Sequence, residues 1–356
     1  MTKQLMKGNE AIAEAAIQAG CRHFFGYPIT PQNQIPEYMS KRMPKVGGCF
    51  LQAESEIAAI NMVYGAAGAG ARVMTSSSSP GIALKQEGIS YIAGARLPAV
   101  IVNIVRGGPG LGGIQPAQSD YFQSTRGGGH GDYRTVVLAP SSVQEAVELT
   151  QEAFDIADIY RVPVIVLGDG MLGQMMEPVE FGTYKGREMP AKPWASTGTK
   201  GKREPNIINS LFIDPNDLED VNMQLMKTYG DIKEAETRAE AINAVDCEIL
   251  IVAYGTTARI VKNVIKIGEK NGVKIGLIRP ITLWPFPSEE IAKYAAQPST
   301  KVVVSVELST GQMVDDVKIA VNGIKPVKFF GRTGGVVPLP EEIYENVVEM
   351  LGGAKQ

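Results

Sequence analysis

Pro98-Ala-Val-Ile-Val-Asn-Ile-Val105 and Val162-Pro-Val-Ile-Val-Leu167 decide the fold of this chain. Both are short, rich in β-branched residues and apolar at odd and even positions alike. A strand with one face in water alternates apolar and polar side chains, so a strand apolar on both faces has to be covered on both. These two segments therefore read as central strands of a parallel sheet with helices on either side. The neighbouring sequence supplies the required alternation. Further short apolar runs fall at 22–27, 49–53, 72–76 and 135–139, and helix-like stretches at 9–19, 33–42, 55–70, 81–94 and 141–160. Ser141-Ser-Val-Gln144, ahead of the last helix, has the pattern of a capping box. The expectation over residues 1–181 is a doubly wound α/β domain.

Residues 182–244 change character. The stretch from 182 to 212 is rich in Gly, Pro and Lys and has no periodicity, so it reads as a linker or a long surface excursion. A charged helix is expected at about 215–243. Residues 245–356 form a second, smaller α/β unit, with strands at 248–253, 273–278, 301–306 and 327–330. Helices follow at about 257–271, 288–296, 311–322 and 340–351. No internal repeat is apparent.

Composition narrows the function classes. Lys plus Arg number 35 against 38 Asp plus Glu, a formal net charge of −3 in 356 residues. There is no surplus of positive charge to neutralise a phosphate backbone, so no nucleic-acid partner is expected. No run of 18 or more apolar residues predicts a membrane span. The first residues, MTKQLMKGNEAIAEAA, lack an apolar signal core, and a cytoplasmic location is expected. The three cysteines, Cys21, Cys49 and Cys247, form no CxxC pair and are too few to ligate an iron–sulfur cluster by themselves. The two histidines leave little room for histidine catalysis. His23 precedes an apolar strand and reads as structural, while His130 sits in a glycine loop. Glycine stands out at 39 residues, about 11% against the usual ~7%.

Several motifs follow apolar strands. Gly108-Pro-Gly-Leu-Gly-Gly113 matches GxGxxG, but it leads into Gln115-Pro116 rather than a helix and lies outside the first βαβ unit, so it reads as a glycine-rich active-site loop. Gly168-Asp-Gly170 resembles the diphosphate–Mg²⁺ motif of thiamine diphosphate enzymes. No Asn occurs between 171 and 205 to complete the ligand set, so it reads as a strand-end turn. In Phe25-Gly-Tyr-Pro-Ile-Thr-Pro31 the prolines fix the backbone on both sides of Thr30, either as a rigid helix-capping loop or as a hydroxyl held where open α/β sheets bind ligands. Leu51-Gln-Ala-Glu-Ser-Glu56 ends a strand in two carboxylates. Glu54 and Glu56 either complement a helix dipole or point across an interface at a cofactor nitrogen. The Ala/Gly run Tyr64–Gly70 behind them permits close helix packing. Arg106 ends a fully apolar strand, where it needs an anion: an acid of this chain or a substrate carboxylate. Thr75-Ser-Ser-Ser-Ser-Pro-Gly81 offers hydroxyls at a helix N-terminus, a capping loop or an anion site.

Taken together, Tyr-Pro-Ile-Thr-Pro at 27–31, Gln-Ala-Glu-Ser-Glu at 52–56, the Ser-rich loop at 76–81, Arg-Gly-Gly-Pro-Gly at 106–110, Gln-Ser-Asp at 118–120 and Arg279-Pro-Ile-Thr-Leu-Trp-Pro285 occur in a family order. The chain resembles the alpha subunit of 2-oxoacid:ferredoxin oxidoreductases over nearly its whole length, most of all the 2-oxoisovalerate (branched-chain) type. The resemblance implies a pyrimidine-type thiamine diphosphate-binding domain at 1–181, a linker and charged helix at 182–244, and a transketolase C-terminal-like α/β domain at 245–356. It implies a cofactor shared with a beta subunit that carries Mg²⁺ and a [4Fe-4S] cluster, together with gamma and ferredoxin-like delta subunits, coenzyme A as co-substrate and ferredoxin as electron acceptor. Carried over by position, Glu56 matches the glutamate that hydrogen-bonds the aminopyrimidine, with Tyr27 and Pro28 beside the cofactor. Thr30, Arg106 and Gly107 match the substrate side, with Arg106 on the 2-oxoacid carboxylate. In that chemistry Glu56 favours the imino tautomer whose nitrogen removes the thiazolium proton, and the thiazolium acts as electron sink for decarboxylation. Glu54 is the rival carboxylate. The rival functions are the same chemistry on 2-oxoglutarate or pyruvate, a non-catalytic assembly subunit, and a stand-alone transketolase-type enzyme. The last would need its own complete metal site.

Overall fold

The structure is a computed structural model that describes residues 3–182 and 184–352. In chain order its first part contains β1 (Gln4–Lys7), α1 (Gly8–Gln18), β2 (His23–Gly26), α2 (Gln34–Arg42), β3 (Cys49–Gln52), α3 (Glu56–Gly68), β4 (Val73–Ser77) and α4 (Ser79–Gly94). Then come β5 (Ala99–Val105), α5 (Tyr121–Thr125), β6 (Val136–Leu138), α6 (Val143–Tyr160), β7 (Pro163–Asp169), α7 (Gly170–Gln174) and β8 (Met176–Val179). After the linker follow α8 (Pro215–Glu236), β9 (Ala239–Ile242), β10 (Ile249–Val252), α9 (Gly255–Asn271), β11 (Ile275–Pro280) and β12 (Thr282–Trp284). The chain ends with α10 (Ser288–Ala295), β13 (Val302–Glu307), α11 (Met313–Val321), β14 (Val327–Gly331) and α12 (Pro340–Gly352).

Seven strands form the first sheet in the order β12-β6-β7-β5-β4-β2-β3, parallel except for β12. The double-sided burial expected of Pro98–Val105 is realised by its pleat. Ile101 and Val105 enter one apolar cluster, while Val100, Val102 and Ile104 enter the cluster on the opposite face. β7 repeats the division, with Ile165 and Leu167 on one side and Val164 and Val166 on the other. Small residues let the covering helices approach closely. An added Cβ at Gly88 of α4 would lie 2.5 Å from Ile60 of α3.

The second sheet, β14-β13-β10-β11-β9, is parallel except at β9. Its Leu250, Val252, Ile278 and Val303 share the apolar cluster that covers one face of the first sheet, so a single core spans both sheets. The α/β class expected from the sequence is what is found, with a third, two-stranded sheet in which β1 pairs antiparallel with β8.

Three local expectations need correction. The charged helix ends at Glu236, not 243. Residues 239–242 instead pair antiparallel with β11, where the hydrogen bonds of a sheet edge outweigh the helix propensity of Ala and Glu. The cap of α6 lies one residue later than the sequence pattern. Ser142 accepts from the Glu145 N–H at 3.1 Å, and the Glu145 carboxylate accepts from Ser141 N at 2.7 Å. Finally, Thr282–Trp284 leaves the second unit and pairs with β6 of the first sheet. The linker is held by ion pairs, Lys192 with Asp158 at 2.5 Å and Arg187 with Glu236 at 2.5 Å. Among the described residues no helix is long and apolar enough to cross a membrane.

Candidate active site at the carboxyl ends of the first sheet

Parallel strands deliver the segments that follow them to one edge of the sheet, and β2, β3, β4 and β5 are parallel neighbours. Tyr27–Pro31 follows β2, Glu54–Glu56 follows β3, Ser78–Gly81 follows β4 and Arg106 follows β5, so every candidate residue emerges at that edge.

Glu54 and Glu56 are separated by a helix cap. Ser55 is the N-cap of α3 and accepts from Ala58 N at 3.2 Å, so Glu56 is the first helical residue. Glu54 is exposed and accepts a hydrogen bond from the Ser55 hydroxyl at 2.9 Å. Glu56 is 7% exposed, and no hydrogen bond within the chain reaches its carboxylate among the described residues. Space for that carboxylate depends on Gly81. A Cβ added there would stand 2.7 Å from Glu56 Oε1 and 2.1 Å from the Ser77 hydroxyl oxygen. The Ser77 and Ser78 hydroxyls are themselves buried without partners. Behind Glu56, the fully buried Lys85 donates to the Glu56 carbonyl at 3.4 Å and to Thr75 Oγ1 at 3.2 Å.

Arg106 is 7% exposed. Its Nη1 donates to the carbonyl of Thr30 at 2.9 Å and its Nη2 to the carbonyl of Leu111 at 3.0 Å, while Nε is buried without a partner. Neither acceptor is an acid, so the partner from this chain that the sequence left open is not what holds the guanidinium. Its backbone is fixed to Ser79, whose hydroxyl accepts from Arg106 N at 3.0 Å. Ser79 adopts φ of 21°, a conformation that an L residue takes only at a cost. Glu56, beside Gly81, and Arg106, bonded to Ser79, thus meet the same segment, 77–81.

The rest of the edge arranges itself around these two. Thr30 is exposed, and its carbonyl, not its hydroxyl, meets Arg106. Tyr27 is half-buried and Pro28 exposed. Buried Gln32 ties this loop to the sheet, donating to the Tyr27 carbonyl at 3.2 Å and accepting from Ser76 at 2.5 Å. Gly107 is buried, and the glycine loop closes on it: Gly113 N donates to the Gly107 carbonyl at 2.8 Å. Gly112, at φ of 61°, has no room for a Cβ, which would fall 1.9 Å from that oxygen. Asp169 is buried at the end of β7 and caps α7 by accepting from Met171 N and Leu172 N, a strand-end turn as read from the sequence. Burial pushes its carboxyl above the usual range. His130 is exposed. Among the described residues no group of three or more His, Cys, Asp or Glu is placed to hold a metal ion. A cleft of about 1280 Å³ near Arg126, Lys233, Trp284 and Phe286 contains none of the strand-end residues.

Gly81, Lys85, Gln32 and Gln118 were not singled out from sequence. Gln118 lies within a quoted motif, and its place is the junction between the sheets. It donates to the Tyr254 carbonyl at 2.9 Å, and its amide oxygen accepts from Leu308 N at 3.0 Å.

Comparison with known proteins agrees with this architecture. A family model described as pyruvate flavodoxin/ferredoxin oxidoreductase, thiamine diphosphate binding, matches residues 14–244. The pyruvate:ferredoxin oxidoreductase core domain II model matches 247–343. The chain belongs to this oxidoreductase family. Within it, the chain is 49% identical to ketoisovalerate oxidoreductase subunit VorB of Methanothermobacter marburgensis, over 99% of both chains. It is 36% identical to 2-oxoglutarate synthase subunit KorA of Methanothermobacter thermautotrophicus, over 98% of this chain and 100% of that one. Among solved structures it superposes on 2-oxoglutarate:ferredoxin oxidoreductase from Magnetococcus marinus with a TM-score of 0.85 at 27% identity. That match covers 98% of this chain and 65% of the longer one, whose structure holds 2-oxoglutarate, coenzyme A and succinyl-CoA. The relatives are named as subunits, so this chain is one component of a 2-oxoacid oxidoreductase, the alpha-type component expected from its motifs.

Proposed function

We propose that the chain is the subunit of a thiamine diphosphate-dependent 2-oxoacid:ferredoxin oxidoreductase that acts on branched-chain 2-oxoacids of the 2-oxoisovalerate type. The bond between the carboxylate and keto carbons breaks and CO2 leaves. Two electrons pass singly to two ferredoxins, and the coenzyme A thiol takes the acyl group. The substrate class rests on the 49% identity to a ketoisovalerate enzyme subunit against 36% to a 2-oxoglutarate one.

The observation that carries the reading is a pair of opposite charges at one sheet edge, each buried and each without an oppositely charged hydrogen-bond partner in this chain: Glu56 and Arg106. Buried charge of this kind is costly unless a ligand completes it. Glu56 fits the aminopyrimidine, because its carboxylate is free and Gly81 clears space beside it. Tyr27 and Pro28 would line the same cofactor. When bound, thiamine diphosphate supplies the electron sink for decarboxylation. Glu56 holds a proton at the ring nitrogen. Arg106 receives the substrate carboxylate through the N–H groups left over from Thr30 and Leu111, and Thr30 and Gly107 set the floor on which the acid is oriented.

The remaining half of the pocket belongs, on this reading, to a beta subunit carrying the diphosphate site, Mg²⁺ and a [4Fe-4S] cluster, with gamma and ferredoxin-like delta subunits in a cytoplasmic complex. Ile57, next to Glu56 on α3, and Leu84 and Tyr91 on α4 are exposed, a surface suited to such a partner. The division into 1–181, 182–244 and 245–356 belongs to the same reading. The test is an assay of the intact complex with 2-oxoisovalerate, pyruvate and 2-oxoglutarate. The highest kcat/KM is expected for 2-oxoisovalerate, and a clear preference for either of the others overturns the substrate assignment. Glu56→Ala is expected to assemble normally and lose turnover. Near-normal activity in that variant removes the site assignment.

A further inference from the structure

Lys85 has no part in the chemistry set out above, yet it occupies the most buried position next to it. It has no solvent exposure, and both of its hydrogen-bond partners, the Thr75 hydroxyl and the Glu56 carbonyl, are neutral. A buried ammonium without a carboxylate in contact is expensive. Burial pulls its pKa down to about 8, and the negative charge of Glu56 opposes that fall.

Among the described residues the charge that acts on it is that of Glu56; buried Asp120 is engaged by Asn103 and Ser79. Packed against α4, α3 contributes Glu56 and the half-buried Tyr64, and β4 contributes only Thr75 and serines beside apolar residues. β5 contributes no ionisable residue, and β7 contributes Asp169, which is turned to its own cap on α7. From the 127–134 loop come Tyr133, bonded to Gln86, the exposed His130 and Asp132, and the exposed Arg134, which donates to the Tyr133 carbonyl. On α4 itself Glu87 is exposed and accepts from the Tyr91 hydroxyl.

We propose that Lys85 is a positioning residue for Glu56: it anchors the first turn of α3 through the Glu56 carbonyl and supplies the buried countercharge to the carboxylate that holds the cofactor ring. This rests on the role of Glu56 proposed above. Because the Lys85 ammonium bonds the Glu56 carbonyl and not the carboxylate, the carboxylate stays free for the ring nitrogen. A direct Lys–Glu ion pair would occupy it.

Lys85→Met and Lys85→Gln separate charge from hydrogen bonding, because Gln keeps donors for Thr75 and the Glu56 carbonyl but carries no charge. In both variants the buried carboxylate loses the cation beside it, and in Lys85→Met the first turn of α3 also loses its anchor at the Glu56 carbonyl. The pH profile of kcat/KM of the complex is expected to differ from the parent's in both variants, a change that loss of packing alone would not produce. Thiamine diphosphate binding, titrated calorimetrically into the cofactor-depleted complex, is expected to weaken about tenfold. In a Glu56→Gln background Lys85→Met should add little further loss, because it acts through the residue already changed.

A stability readout is independent of activity. The ammonium's penalty on folding is present below about pH 8 and is relieved as pH rises towards 10.5, so stability of the parent chain gains over that window and Lys85→Met should flatten the gain. If Lys85→Met does not assemble, Lys85→Gln carries the same test. Parent-like pH profiles and cofactor affinity in the variants, with Glu56→Gln impaired, overturn the role of Lys85 alone, as does full additivity with Glu56→Gln. Parent-like behaviour of Glu56→Gln itself overturns the underlying reading.

Discussion

Gly81→Ala isolates the position of the Glu56 carboxylate from the stability of the fold. Gly81 lies in the first turn of α4 with a backbone that an L residue can adopt, so alanine there favours the helix by up to about 1 kcal/mol. Its Cβ, however, would arrive 2.7 Å from Glu56 Oε1 and 3.2 Å from Glu56 Cγ. Ordinary contact begins at 3.4 Å, so the carboxylate oxygen has to retreat by about 0.7 Å, and the Ser77 hydroxyl, 2.1 Å from the same point, has to rotate away. Both obstacles are ends of side chains, so the backbone survives and the displacement falls on Glu56. Overpacking of this kind costs about 1–3 kcal/mol. Offset by the helix term, it should leave the melting temperature within a few degrees of the parent. The functional loss has no such offset. A shift of this size at a group that must meet a ring nitrogen is expected to weaken thiamine diphosphate binding and lower kcat about 10- to 100-fold. Gly88→Ala is the matched control: its Cβ meets Ile60 at 2.5 Å in the same helix pair but does not touch Glu56. It should lose stability with cofactor affinity intact. Thermal unfolding and calorimetric titration of the two variants decide the matter. If both lose stability and affinity in the same proportion, Gly81 is a packing residue and the carboxylate is not held where the argument requires it.

Two further outcomes follow from named contacts. Arg106→Lys cannot reach the Thr30 and Leu111 carbonyls and still offer paired donors to a carboxylate, so kcat/KM for the 2-oxoacid should fall about 100-fold with cofactor affinity unchanged, and steady-state kinetics showing less than a fewfold loss would refute the carboxylate role. Arg279, 5% exposed, joins the units through a bidentate contact with Glu145 at 2.8 and 3.0 Å and one with Glu240 at 2.7 Å. Arg279→Met should cost about 2–4 kcal/mol in denaturant titration, below the full buried-pair value because Glu240 is partly exposed. Burial pushes the Glu240 carboxyl up, but the Arg279 contacts outweigh this and hold it below its usual value of 4.5. The contact therefore contributes fully above about pH 4.5 and is lost as pH falls below it, so the acid decline in parent stability should be shallower in Arg279→Met.

The strands that set the sheet were legible because apolarity on both faces has one structural meaning. β5 carries it in every residue from Val100 to Val105 except Asn103, which bonds buried Asp120 at 2.9 Å, and β7 carries it from Val164 to Leu167. Elements defined by pairing were not legible. Thr282–Trp284 is three residues long and becomes a strand because β6 lies beside it, and Ala239–Ile242 leaves a helical pattern because β11 offers an edge. The site divides the same way. Arg106 was visible as a charge at the end of an apolar run. The choice between Glu54 and Glu56 was open although its signal was present: Ser55 is an N-cap residue, which makes Glu56 the first residue of the helix and leaves Glu54 outside it. Lys85 had no such signal. Between Leu84 and Gln86-Glu87 it reads as the solvated side of an amphipathic helix, and only the close approach of α3, allowed by Gly88 against Ile60, covers it.

The buried charges carry a thermodynamic consequence for assembly. Arg106 holds two backbone carbonyls and leaves Nε unsatisfied, Glu56 holds no hydrogen bond at its carboxylate, and the Ser77 and Ser78 hydroxyls are unpartnered. Each such group is tolerated in a folded chain only because the large shared core beneath both sheets supplies the stability. The edge is therefore the part of the molecule with most to gain from a ligand. Binding that satisfies these groups stabilises the folded state by mass action, in proportion to the logarithm of ligand concentration over its dissociation constant. An apo subunit built this way should melt lower than the cofactor-loaded complex, and the difference should shrink when either charge is removed. A subunit that kept its fold only for assembly would have no reason to retain an unsatisfied guanidinium and an unsatisfied carboxylate against one five-residue segment.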